Sequence, residues 1–165
     1  MREEPPSFAA LVERHRPEIL AYLVRLLGDR DDAQDACQET LLRAHRAFPG
    51  LARGSRPRAW LYRIATRSAQ NAVRRRARTT GRVAPVDPDS LAADAADAGE
   101  RRAELRTVAR AVAGLPPRQR AALVLRMLQD LDYADIAAVL GGNAVAARAN
   151  VYQALKRLRA LLGGN

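Results

Sequence analysis

The chain has 165 residues, enough for one domain or two small ones, and nearly half of them are hydrophobic, enough for a packed core. Aromatics are scarce and alanine abundant, which favours aliphatic helices over sheets, and no apolar run is long enough to cross a membrane. The net charge of +10 points to a polyanionic partner; the N-terminus MREEPPSF lacks a signal peptide's apolar core, and a cytoplasmic protein with no membrane insertion is expected.

Phe8, Leu11 and Val12 begin an amphipathic segment. Pro17 is expected to start a fresh turn carrying Ile19, Leu20, Leu23, Val24 and Leu27, with a stop at Gly28. Asp29, Asp31 and Asp32 then open a second helix, where carboxylates suit the helix dipole. Its apolar positions, Ala33, Ala36, Cys37, Thr40, Leu41, Ala44 and Phe48, recur at three-four spacing until Pro49-Gly50. A third helix runs from about Pro57 through Trp60, Ile64, Ala65 and Val73 to about Arg78. From Thr40 to Val86 there is no acidic residue at all.

The stretch PVDPDSLAADAADAGE (residues 85–100) is acidic, holds prolines and has few large apolar groups. It cannot bury enough surface to offset its ordering, so a flexible linker is expected over residues 82–102, between domains at 1–81 and 103–165. The second domain begins with a helix around Glu104 to Ala113, stopping at Gly114. Pro116-Pro117 opens another, to about Gln129. Asp132 can cap a short helix from Tyr133 to Leu140, Gly141-Gly142 can end it, and Asn143 can cap a last helix from Ala144 to Leu162. The fold class is therefore all-α: two small helical domains, the second ending in a helix-turn-helix.

On a helical wheel Ala144, Ala147, Val151, Leu155, Leu158 and Leu162 fall on one face and should pack inward. Val145, Ala149, Tyr152, Gln153 and Lys156 fall on another, with Arg148 at its edge. Small residues near the helix start let its backbone sit deep in a major groove. Arg148 can fork to a guanine, Gln153 can pair with an adenine, and Arg157 and Arg159 suit phosphates.

These residues carry a family pattern. LPPRQRAALVLRMLQDLDYADIAAVLGG followed by NAVAARANVYQALKRLRALL resembles the C-terminal domain of bacterial RNA polymerase sigma factors of the extracytoplasmic-function (ECF) group. Leu115, Pro116, Arg120, Tyr133, Asp135, Ile136, Ala137, Leu140, Gly141, Arg148, Ala154 and Leu158 match without a gap. Independently, DAQDACQETLLRAHRAF and RPRAWLYRIATRSAQNAVRRRAR are similar to the family's N-terminal motifs, in the right order.

The resemblance implies a first domain that binds the polymerase clamp and the promoter's −10 element, and a second that binds the −35 element. By match, Asp35, Gln38, Glu39 and Arg43 would meet core polymerase. Arg63, Arg67, Asn71, Arg74, Arg75 and Arg78 would meet −10 DNA, with Trp60 a packing residue. Arg148, Ala149, Tyr152, Gln153, Lys156, Arg157 and Arg159 would meet −35 DNA. The family's Asn and Asp in the third helix are here Arg67 and Asn71, and its Thr-Val and Ser in the recognition helix are Ala146-Ala147 and Ala149, so neither promoter preference follows by match. The implied partners are core RNA polymerase, promoter DNA and an anti-sigma factor.

Competing classes fare worse. A free-standing helix-turn-helix regulator accounts for Ala144 to Leu162 but not for the N-terminal motifs. An enzyme would need a catalytic set, and His15 and His45 are isolated. No cofactor is expected and no metal: one cysteine, Cys37, excludes a multi-cysteine site, and Asp31, Asp32 and Asp35 at a helix start do not converge on one ion.

Overall fold

The computed structural model describes residues 6–81 and 99–163. Among them there is no strand; seven α-helices and one short 3₁₀ turn carry the fold. The first half holds α1 (Phe8–Leu27), α2 (Arg30–Ala47), the 3₁₀ turn Phe48–Gly50 and α3 (Pro57–Thr80). The second holds α4 (Gly99–Ala113), α5 (Pro117–Met127), α6 (Tyr133–Leu140) and α7 (Ala144–Leu162).

Local chemistry sets most boundaries. Asp29 caps α2 by accepting from the Asp32 amide at 2.9 Å, and Gly28 closes α1 at φ +65°, a conformation that favours glycine. In the second half Asp132 accepts from the Asp135 amide at 2.7 Å and Asn143 from the Ala146 amide at 2.8 Å. Between those caps Gly141 and Gly142 both have positive φ, so the turn of the helix-turn-helix requires two residues without Cβ.

Two boundaries differ from expectation. Pro17 starts no new helix; α1 runs straight through it. Glu13 and Pro17 both lie on the exposed side, where the carbonyl freed by the missing N–H is open to solvent. The helix α4 begins at Gly99, inside the expected linker, with Glu100 in its dipole-favoured first turn. The rest of that linker, residues 82–98, lies outside the described residues.

The first core packs Ile19, Tyr22 and Leu23 of α1 against Ala33, Ala36 and Thr40 of α2 and Leu61, Tyr62 and Ala65 of α3. Most of its polar members find partners: Thr40 donates to the Ala36 carbonyl, and Tyr22 Oη bonds Thr66 Oγ1 at 2.8 Å, while the buried Ser68 hydroxyl has no hydrogen-bond partner among the described residues. Burial pushes the Tyr22 hydroxyl well above its ordinary pKa, so it stays neutral. Cys37 is a buried packing residue. Trp60 is half-buried beside Phe48, as the packing role requires. Val73, expected to pack, is 39% exposed; it lies one turn beyond Ala69, the last buried residue of α3.

The second core joins Leu123, Val124 and Leu125 of α5, Ile136 and Val139 of α6, and Ala147, Val151 and Ala154 of α7. Ala144 and Leu162, placed on the inward face by the wheel, are exposed because the first and last turns of α7 overhang its neighbours.

The two halves pack on each other, chiefly α3 on α6 and α1 on α5. The seam is polar. Arg58 of α3 pairs with Glu18 of α1 at 2.8 Å and donates to the Gln129 carbonyl at 2.6 Å. Tyr62 Oη donates to Gln129 Oε1 at 2.8 Å. Arg56 reaches Asp135 at 2.6 Å and Asp132 at 3.4 Å, and Arg120 of α5 donates to the Leu26 carbonyl at 3.0 Å.

Candidate nucleic-acid and polymerase interface

Three expected sets of residues fall on three surfaces. On α3, Arg63, Arg67, Asn71, Arg74 and Arg78 recur at three-four spacing and form one stripe, turned away from the buried Tyr62, Thr66 and Ala69. The arginines of that stripe are exposed; Asn71 is half-buried. Arg63 and Arg67 make no hydrogen bond or ion pair among the described residues, while Arg78 folds back on the Arg74 carbonyl at 3.4 Å.

Arg75 lies at the edge of the stripe nearest α2, and there two expected sites meet. It pairs with Glu39 at 3.2 Å, and Glu39 also pairs with Arg43, one turn further along α2, at 2.6 Å. The residue assigned to polymerase and the residue assigned to −10 DNA are thus partners of one another. The neighbouring Arg76 pairs with Asp32 at 2.9 Å, so α2 presents acids to α3 at two points along their seam. Asp35, Gln38, Glu39 and Arg43 share one face of α2, with Asp35 and Gln38 exposed. Asp31, Asp32 and Asp35 form no metal-binding cluster among the described residues.

On α7 all seven expected −35 residues, Arg148, Ala149, Tyr152, Gln153, Lys156, Arg157 and Arg159, are exposed. The helix holds no acidic residue and no ion pair reaches it among the described residues. Val145 is 78% exposed and Tyr152 60%, so the outward face mixes apolar contact surface with cations. Its tilt is fixed from below by Ala147, Val151 and Ala154, and its start by Asn143. Arg118 of α5 donates to the Gly141 carbonyl, tying the turn to the domain.

Several contacts escape a reading of the sequence. Tyr133 has the Arg126 guanidinium 4.8 Å and the Arg148 guanidinium 5.1 Å from its ring centroid. The seam residues Arg56, Arg58 and Gln129 carry no local signal, since each meets a partner far away in the chain. Hydrogen bonding to Asp135 and its carboxylate hold Arg56 above the ordinary arginine pKa. Burial raises the Glu18 carboxyl, but hydrogen bonds from Arg58 and His15 outweigh it and leave its pKa below the usual range. A signal for Arg120 does exist: it is the arginine of the family's LP-x-x-x-R pattern. It closes the α4–α5 turn through the Ala113 and Leu115 carbonyls.

Two family models match the chain, one in each half. Residues 11–79 match the family described as Sigma-70 region 2, and residues 105–158 match Sigma-70, region 4. The chain is 34% identical to the ECF RNA polymerase sigma factor SigG of Mycobacterium tuberculosis over 95% of its own length and 49% of that protein, so it spans about half the length of this relative. It is 32% identical to the ECF RNA polymerase sigma factor SigM of the same organism, over 95% of this chain and 78% of that one. Among solved structures, the sigma factor RpoE of Bartonella quintana, crystallised with the anti-sigma factor NepR, superposes with a TM-score of 0.75 at 23% identity, covering 92% of this chain and 94% of that one. With both regions matched in order, and a relative such as SigM shared over most of both lengths, the chain belongs to the sigma-70 family of RNA polymerase sigma factors, in its ECF group.

Proposed function

We propose that the chain is a promoter-specificity subunit, which binds core RNA polymerase, directs it to particular promoters and helps open the DNA. It acts by binding rather than by catalysis, in the cytoplasm where polymerase works. The observation that carries this reading is the outward face of α7: a helix-turn-helix presenting seven exposed candidates with no acid to neutralise them. That face suits the −35 element, with Arg148, Ala149, Tyr152 and Gln153 toward bases and Lys156, Arg157 and Arg159 toward phosphates. The α3 stripe of Arg63, Arg67, Asn71, Arg74 and Arg78, with Arg75 at its edge, suits the −10 element, and Asp35, Gln38, Glu39 and Arg43 of α2 suit the polymerase clamp.

On this reading residues 1–81 form the clamp and −10 unit, 82–102 the connection, and 103–165 the −35 unit. An anti-sigma factor is a further partner: the RpoE of similar fold was crystallised with one. The test is run-off transcription with purified core enzyme on a promoter library, preceded by a pull-down of core. Specific transcripts support the proposal. Duplex binding without any capture of core would instead make the chain a free-standing regulator.

A further inference from the structure

The helix-turn-helix holds an aromatic ring that the DNA reading leaves unused. Tyr133 is the first residue of α6, half-buried, at the meeting of three helices. The guanidinium of Arg126, from the last turn of α5, lies 4.8 Å from its ring centroid, and that of Arg148, from the second turn of α7, lies 5.1 Å from it. Both are within the reach at which a ring's quadrupole attracts a cation.

The two arginines differ in what else they do. Arg126 is half-buried and donates to the Leu131 carbonyl at 3.0 Å. Arg148 is exposed and makes no hydrogen bond or ion pair among the described residues. The carboxylates nearest the ring in sequence, Asp132 and Asp135, are engaged with Arg56. Two guanidinium groups therefore share one ring with no carboxylate between them, and one of the two has all its N–H donors open. A guanidinium lying against a ring keeps its N–H edge free for a fork of two hydrogen bonds. Holding it there also removes rotamer freedom that binding would otherwise have to remove.

We propose that Tyr133 is a positioning residue for promoter recognition: its ring holds the Arg148 guanidinium so that the N–H edge is presented to a base acceptor in the major groove. This rests on the assignment of Arg148 to −35 DNA. The phenol hydroxyl has no hydrogen-bond partner among the described residues, so the ring and not the hydroxyl carries the effect.

The experiment uses holoenzyme assembled from the full chain and core polymerase, selecting from duplexes with a randomised −35 region above a fixed −10 element. Arg148→Ala should lose preference at one position by roughly 5- to 150-fold, the range of a bidentate base contact. Tyr133→Leu should weaken preference at that same position by a smaller factor and add nothing when combined with Arg148→Ala. Tyr133→Phe should leave it intact. If Arg148→Ala removes the preference while Tyr133→Leu leaves it whole, Arg148 reads DNA without the ring, and the proposal falls alone. If Tyr133→Leu lowers binding by one factor with or without Arg148→Ala, its role is structural and the proposal falls. If Arg148→Ala changes no position, the underlying assignment fails and takes the proposal with it. A measurement free of folding defects is side-chain nitrogen relaxation in the unmutated chain: Arg148 Nε should be markedly more restrained than Arg157 Nε, and equal mobility overturns the idea.

Discussion

Two basic helices do different things with their charge. Along α3, Arg75 and Arg76 are held by Glu39 and Asp32 of α2, so part of the basic surface is neutralised inside the first half. Along α7 no cation has an acidic partner among the described residues. The difference separates a helix whose charge also ties down a neighbour from one whose charge is left entirely for a ligand. Partly exposed pairs such as Arg76–Asp32 are individually weak, so the α2–α3 seam is held mainly by the apolar contacts beneath it, with the ion pairs fixing which surface each arginine faces.

The comparison can be broken most decisively on α7. Replacing Lys156, Arg157 and Arg159 together by alanine should cut the salt dependence of promoter binding by nearly three units, about 0.9 per lost phosphate, and lower affinity roughly a hundredfold at physiological salt. Binding isotherms of the holoenzyme over a salt series measure both. An unchanged slope would mean that the free charge of α7 does not meet phosphate.

A smaller effect is expected on α2. Glu39→Arg removes the partner of Arg43 and Arg75 and reverses the sign of the proposed clamp face, which should weaken core polymerase binding about tenfold with helicity preserved. Full affinity in a core titration would assign Glu39 to the α2–α3 seam alone.

Stability then distinguishes committed from uncommitted arginine. Arg76→Ala should cost less than about 1 kcal/mol in urea denaturation, as expected for a partly exposed pair, and Arg157→Ala should cost nothing measurable. Equal losses would erase the distinction.

The least effect is titrational. The Glu18 carboxyl, held below its ordinary value of 4.5 by its hydrogen bonds, adds stability that is complete above that pH and disappears as the pH falls through its lowered value. Glu18→Gln should flatten that acid limb in thermal melts taken below about pH 5. An unchanged limb would show that the Arg58–Glu18 pair contributes nothing to folding.

Elements were legible where the determinants are local. Asp132 and Asn143 signal helix starts, Gly28 and Gly141-Gly142 signal ends, and three-four spacing of alanine and leucine marks the inward faces of α2 and α7. Pro17 misleads because its penalty depends on whether the freed carbonyl can reach solvent, which sequence does not state. Ala144 and Leu162 mislead because periodicity says which face is apolar, not how far the neighbouring helices extend. The candidate site was legible as far as the family motifs carry it. The Glu39–Arg75 pair, the Tyr62–Gln129 bond and the arginines around Tyr133 join residues from different helices, and nothing local foretells such a meeting.

The seam between the halves sets a problem of length. Promoter elements named −10 and −35 lie roughly 25 base pairs apart, about 85 Å along straight duplex at about 3.4 Å per pair. The helix α7 is itself only about 29 Å long at about 1.5 Å per residue. A compact chain of this length is only about 40 Å across, so on the proposed function halves joined at Arg56–Asp135 and Tyr62–Gln129 cannot reach both elements at once. A chain the length of residues 82–98 spans about 60 Å at most, and the bodies of the two halves supply the remainder. On the proposed function, engaging a whole promoter therefore requires Arg58 to release the Gln129 carbonyl and Tyr62 to release the Gln129 side chain. The free energy of opening that seam weakens binding to every promoter by the same amount, whatever sequence the recognition helix prefers.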